Sequence, residues 1–307
     1  MDKKIILTVM LMVLVIATGC TSSSKKKENP FVGGTNGVLI NFMESAPPDE
    51  VFDGGGFPFN VIVKLSNEGE YTVPQNNIKL WLIGIDPAEF GLRASDFVKQ
   101  PTEDLIKVSR DDSGNKIPSI PVEIEFPEFN YLGKVSGEVT YNIIAKICYN
   151  YQTLANAKLC IKNNLLDSSA TVCKLSEDKP VYSSGAPIQV TSFKQSISGK
   201  DKISFEFTVE QKGNGNVFRN GMECNDIFAN RDKVFVSIDS GIPGLMCTGF
   251  TGGNFGFITI FEGKRTVSCI QQIDITEQKA YEKQLTITLN YDYMEMKSKP
   301  ILIKKSG

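Results

Sequence analysis

"CYNYQTLANAKLCIK" spans Cys148–Lys162, and "NYDYMEMKSKPILIK" spans Asn290–Lys304. The first two tyrosines of the one, Tyr149 and Tyr151, match Tyr291 and Tyr293 of the other. Further along, Cys160-Ile161-Lys162 matches Leu302-Ile303-Lys304 without a gap. Each stretch ends a series of short segments in which apolar residues alternate with polar ones. That period of two marks half-buried strands. The matched pair therefore reads as the C-terminal ends of two copies of one β-unit, each expected to close in a hairpin.

Working back from these ends, the first copy shows Val38–Phe42, the alternating run Phe59–Val73, Ile78–Ile85, Pro121–Phe126, Gly137–Tyr151 and Ala157–Lys162. Ser95–Val108 reads as either a helical turn or a short edge strand. The second copy shows Pro187–Phe193, Lys202–Glu210, Lys233–Ile238, Phe255–Phe261, Arg265–Ile270, Gln284–Tyr293 and Pro300–Lys305. "FNVIVKLSNEG" at Phe59–Gly69 and "ISFEFTVEQKGNG" at Ile203–Gly215 share a form, an alternating strand running into a polar glycine turn. Short strands with frequent turns and no long helical period give the fold class all-β, as two tandem sandwiches. Residues 36–170 form the first expected domain and 171–307 the second.

The form of Phe59–Gly69 resembles the adhesion-type immunoglobulin-like modules found in tandem on archaeal and bacterial surface proteins. That resemblance implies immunoglobulin-like sandwiches with a binding role. Trp81 is similar to the core tryptophan of antibody domains, without the flanking cysteine pair.

Ahead of the strands lies an export signal. Lys3 and Lys4 precede an apolar run, Ile5–Ala17, of thirteen residues broken only by Thr8. This is shorter than the roughly 20 residues that span a bilayer and suits a cleaved signal, residues 1–19. "ATGC" at Ala17–Cys20 resembles the lipobox of bacterial and archaeal lipoproteins. The resemblance implies cleavage before Cys20, a lipid on its sulfur, and an exported chain held on the outer face of the membrane or envelope. Residues 20–35 would then be the anchor cysteine and a polar tether.

The chain has seven cysteines, and setting Cys20 aside leaves six: Cys148, Cys160, Cys173, Cys224, Cys247 and Cys269. An exported chain with an even number of cysteines is expected to form disulfides. In the alignment of the two copies Cys148 falls opposite Asn290 and Cys160 opposite Leu302, so one copy lacks both. Their joint absence suggests a Cys148–Cys160 bond across the expected hairpin, leaving Cys247–Cys269 and Cys173–Cys224.

The chain carries a net charge of -2 and no histidine. A near-neutral chain offers no basic field for nucleic acid. The missing histidine removes the commonest general base and metal ligand. "GGGF" at Gly54–Phe57 and "KGNGN" at Lys212–Asn216 lack phosphate-loop spacing. Asp49, Glu50 and Asp53, and the pair Asp111 and Asp112, do not follow a calcium-loop pattern. A serine–lysine spacing occurs at Ser24–Lys27, in the tether, where a site could not be held. No catalytic residue, metal site or cofactor is assigned, and the chain is not expected to be an enzyme.

One stretch stands apart. Gly241–Phe261 has no charge over twenty-one residues and holds four phenylalanines and six glycines. It is either a buried strand pair held by Cys247 or an exposed interaction loop around Phe250 and Phe255 that meets a partner or a membrane. The expected function is non-catalytic binding, adhesion or scaffolding at the envelope, with a protein or glycan partner. The alternative is an accessory subunit of a membrane or envelope complex that docks through residues 241–261.

Overall fold

Tyr149, Tyr151, Tyr291 and Tyr293 meet at the centre of the protein, and the sheets are arranged around them. The computed structural model describes residues 29–165, 172–276 and 280–307. Cys20, the signal and most of the expected tether lie outside these residues. The contacts separate Met1–Pro30 from Phe31–Gly307, and the second unit holds every strand described below.

The fold is all-β. In chain order the strands are β1 (Val38–Phe42), β2 (Glu50–Phe52), β3 (Ile62–Asn67), β4 (Ile78–Ile83), β5 (Val98–Lys99), β6 (Ser109–Arg110), β7 (Lys116–Ile117), β8 (Val122–Glu125) and β9 (Glu138–Ile161). They continue with β10 (Glu177–Asp178), β11 (Tyr182–Ser183), β12 (Ile188–Ile197), β13 (Lys202–Gln211), β14 (Asn216–Phe218), β15 (Lys233–Asp239), β16 (Leu245–Cys247), β17 (Phe255–Thr259), β18 (Lys264–Gln272) and β19 (Tyr281–Lys304). Ala94–Phe97 is a 3-10 turn leading into the short edge strand β5, so the Ser95–Val108 region begins with both expected forms.

A nine-stranded sheet is built on the path β17-β15-β19-β9-β4-β5. A three-stranded sheet, β1-β3-β8, and a five-stranded sheet, β10-β12-β13-β18-β16, pack on its inner face and share one hydrophobic core with it. Antiparallel pairing dominates, and β2 alone among the long-sheet partners runs parallel, beside the end of β19.

β9 and β19 are each 24 residues long and pair with each other along their whole length. The expected terminal hairpins are therefore replaced by single continuous strands. β9 contains no glycine or proline that would turn it. In β19, Pro300 falls where only β9 flanks the strand, so its missing N–H costs no ladder bond on a second side.

The disulfides follow from this correction. Cys148 and Cys160 lie on one extended strand, roughly 40 Å apart at about 3.3 Å per residue, and cannot bond to each other. Instead Cys148 joins Cys224, with Cα atoms 5.9 Å apart, and Cys160 joins Cys173 at 5.7 Å. The Cys173–Cys224 assignment is overturned with it. Cys247 and Cys269 do bond, directly opposite each other on β16 and β18. Three disulfides mark a chain that matures in oxidising surroundings outside the cytoplasm.

The long ladder sets Tyr149 against Tyr293 and Tyr151 against Tyr291, with Asn150 and Asp292 opposed between them. This creates a local twofold relation between β9 and β19. All four tyrosine rings are fully buried. They form a closed ring of neighbours with centroids 5.7 to 6.2 Å apart. Buried hydroxyls need partners. Tyr149 accepts the N–H of Val38 at 3.0 Å, and Tyr291 accepts that of Ile188 at 3.3 Å. Tyr151 accepts from Tyr71 at 3.4 Å and donates to Asn67 Oδ1 at 3.3 Å, while Tyr293 accepts the Gly215 N–H at 2.7 Å. Burial pushes all four hydroxyls above their ordinary pKa. Gly69 and Gly213 let the turns after β3 and β13 approach these hydroxyls, since a Cβ at either would collide with the Tyr151 or Tyr293 oxygen. The tyrosines are thus structural, fastening each smaller sheet to the large one.

Trp81 is not a core tryptophan. β4 buries Ile78, Leu80 and Leu82, so the intervening Trp81 faces outward, between the ammonium groups of Lys79 and Lys146, each 5.4 Å from its ring. The acidic loops are also committed locally. Asp53 is buried and accepts from the N–H groups of Val135 and Ser306 and the Ser306 hydroxyl, which holds its carboxyl well below the usual range. Asp111 caps its own turn through Ser113 and Asn115.

Glu295, beside Tyr149 and Tyr293 on β19, carries the reverse shift. Burial alone raises it from 4.5 to about 7. Between these pH values the folded chain binds a proton that the unfolded chain releases. Stability therefore falls as pH rises through about 7. Glu295→Gln is expected to flatten this dependence and to raise the melting temperature at pH 8 but not at pH 4. The gain at the higher pH is on the order of 2 kcal/mol, read by calorimetry across that range.

Candidate functional site

Inner positions on the large sheet are filled by the core, so chemistry available to a partner lies on its outer face and edges. Asn150 and Asp292 point outward at the centre. Asn150 Nδ2 donates to Asp292 Oδ1 at 3.1 Å. The same buried carboxylate accepts the N–H groups of Gly221 at 3.0 Å and Met222 at 2.8 Å. These bonds pin the loop that follows β14 onto the outer face. Cys224 in that loop, with φ of 52°, bonds to Cys148 on β9 and fixes it a second time. Glu223 meets Lys79 at 3.3 Å. Both side chains are well exposed, so this pair contributes at most about 1 kcal/mol and serves mainly to place the loop.

Between the loop and the strands β4 and β5 lies a cleft of about 270 Å³, whose walls include Asn76, Asn77, Gln100, Asn150, Glu223 and Asp292. A second hollow, of about 360 Å³, adjoins it and shares Asn76 and Gln100.

The opposite end of the same sheet is aromatic. β17 is its edge strand and has no strand on its far side among the described residues. Gly256 and Ile258 turn inward, while Phe255 and Phe257 turn outward. Phe255 is 45% exposed, Phe257 38% and Phe261 66%. Phe255, Phe257 and Phe261 share a face, and that face is the solvent side. Phe235 lies beside them, edge-to-face with Phe257 at 5.1 Å and tilted to Phe255 at 6.1 Å. Arg219 lies over the Phe257 ring at 4.4 Å. Phe250 is separate: it is half-buried and packs close against Gly256, whose missing side chain makes room for it. The two residues proposed from sequence thus divide, Phe255 to the surface and Phe250 to the lining below.

The free edge of β17 faces residues Arg265–Ser268 of β18 across a groove of about 410 Å³. Phe250, Phe257 and Phe261 line one part of it, and Arg265 another.

The two ends occupy equivalent places about the local twofold. Lys79 faces Cys148 on β9, and Phe235 faces Asn290 on β19, the residue matched to Cys148 in the repeated stretch. Extending the β4–β5 register by one step sets Gln100 beside Lys79, where Phe257 stands beside Phe235. One scaffold thus carries a polar cleft at one end and an aromatic edge at the other. Sequence reasoning missed the cleft because Asn76, Asn77 and Gln100 belong to no motif. The available signal was Cys148 against Asn290, a difference between two otherwise matched strands.

No protein-family model and no curated protein matches the chain. Among solved structures, it is similar to the secreted serine protease VesC from Vibrio cholerae, at 9% identity and a TM-score of 0.18, over 83% of this chain and 50% of that one. The chain thus spans half the length of VesC. It is also similar to the collagen-binding domain of the Erysipelothrix rhusiopathiae surface protein RspB, at 9% identity and a TM-score of 0.12, over 87% and 96% of the two chains. Likenesses at this level carry neither fold nor function from one protein to the other.

Replacing Cys148 and Cys224 together by serine is expected to cost about 2–4 kcal/mol. Limited proteolysis of that variant should cut first between residues 219 and 231, with the β17 edge left intact. An unchanged cleavage pattern would mean that Asp292 holds the loop alone.

Proposed function

We propose that the chain is an exported, lipid-anchored and non-catalytic envelope protein that docks onto a protein partner through β17. The single observation that carries this reading is the row of exposed phenylalanines on an edge strand. An aromatic row on a free edge is a liability unless something covers it. A sheet edge offers unpaired backbone N–H and C=O groups, which only another extended backbone satisfies in register. The adjoining groove supplies side-chain room for such a segment. Arg219 and Arg265 give its rim a positive character. The partner is therefore an extended protein segment carrying apolar and acidic side chains. This favours an accessory-subunit role over adhesion to a varied surface.

The absence of histidine from the chain supports a non-enzymatic reading. The proposed anchor is Cys20, and the proposed mature chain is held near the membrane by the segment before β1.

A photoreactive residue at position 257 should crosslink a fixed partner on intact membranes. Phe255→Ser, Phe257→Ser and Phe261→Ser combined should reduce its recovery by about tenfold, and Arg265→Glu should weaken it further in low salt. Unchanged capture by the triple variant, with an unchanged melting temperature, would contradict docking through β17.

A further inference from the structure

We infer that the polar cleft at the other end of the sheet is a binding site for a neutral oligosaccharide. Asn76, Asn77 and Gln100 are exposed and converge on it. Their side-chain amides have no hydrogen-bond partner among the described residues. An amide presents donors and an acceptor side by side. A sugar hydroxyl also donates and accepts, so clustered amides suit polyhydroxylated ligands better than they suit ions.

Charge points the same way. The charged groups lining the cleft are already engaged: Lys79 with Glu223, and Asp292 with Asn150 and two backbone N–H groups. Asp292 and, in the adjoining hollow, Asp104 keep negative charges met only by neutral donors, so the two hollows disfavour anions and suit a ligand without negative charge. The fixed Asn150–Asp292 pair and the Cys148–Cys224 disulfide make a rigid floor and wall, so little ordering is needed on binding. Two adjoining hollows that share Asn76 and Gln100 give room for successive sugar units.

A peptide strand fits less well here. The sheet edge at this end is β5, only two residues long, and the Lys99 side chain beside it is bonded to the Glu125 carbonyl. That edge offers no ladder of the kind available at β17.

The duplicated scaffold supplies an internal control. Features the fold requires recur in both copies, as the four tyrosines do. The three amides and the Cys148–Cys224 disulfide occur at one end only, and Phe235 and Phe257 replace Lys79 and Gln100 at the other. The sheet folds with either set, so the polar set is free to serve a ligand.

The test uses the full-length chain in detergent on an array of neutral hexose and N-acetylhexosamine oligosaccharides, followed by calorimetry with the best-retained one. Asn76→Ala with Asn77→Ala, and separately Gln100→Ala, should each weaken binding by about tenfold or more. Phe257→Ser should leave it unchanged, which separates this site from docking through β17. Circular dichroism and an absence of free thiol in the six paired cysteines would show that the variants are folded. Retention of no oligosaccharide by the wild-type chain would overturn the inference. So would binding that survives both amide variants or is lost only in Phe257→Ser.

Discussion

The contact between Tyr149, Tyr151, Tyr291 and Tyr293 fixes the register on which the rest of the protein depends. Two strands of 24 residues slide easily in principle, because their backbone bonds are alike at every step. A slip of one residue would expel the tyrosines and bury Asn150 and Asp292 in their place. The hydroxyls add direction, since each accepts a particular backbone N–H, two from the smaller sheets at Val38 and Ile188 and two from the turns after β3 and β13 at Tyr71 and Gly215. Register, sheet packing and loop approach are thus set by one cluster. Two glycines permit the approach, and four buried hydroxyls require it.

The same register determines what faces outward. With the tyrosines inside, Asn150 and Asp292 must lie on the outer face, where Asp292 is buried beneath the loop carrying Cys224 and holds it. With Gly256 and Ile258 inside, Phe255 and Phe257 must also point outward. Neither surface needs a special backbone device. Both follow from parity along strands whose inner positions are committed to the core. The disulfide at Cys148 then converts a pinned loop into a fixed wall.

Much of this was legible in the amino-acid order, and the reasons are physical. The apolar runs Val38–Phe42 and Ile78–Ile85 and the alternation in Lys202–Glu210 located strands whose structural limits differ by a few residues at most. The matched tyrosines located the centre of the fold. The matched stretches were misread as hairpins because a strand of such length is uncommon, and local alternation cannot tell one long strand from two. The cysteine pairing failed for the same reason, as it assumed a turn between Cys148 and Cys160. Trp81 misled because identity does not set orientation: its neighbours Leu80 and Leu82 had already claimed the core. The direction of the phenylalanines on β17 was hidden because the inward positions are Gly256 and Ile258, and a glycine carries no hydrophobic signal. The polar cleft was out of reach, since its amides come from separate segments joined only by the fold.

If the tyrosine register unites the two halves, they should open together. Hydrogen exchange followed by mass spectrometry on the oxidised chain tests this directly. Amides in the centre of β9 and β19, and those of β3 and β13 that pack toward it, should exchange at one slow common rate, and Tyr151→Phe should speed all of them alike. Rapid exchange confined to β3 and its neighbours in that variant, with β13 and β19 still protected, would contradict the central place given to the four tyrosines.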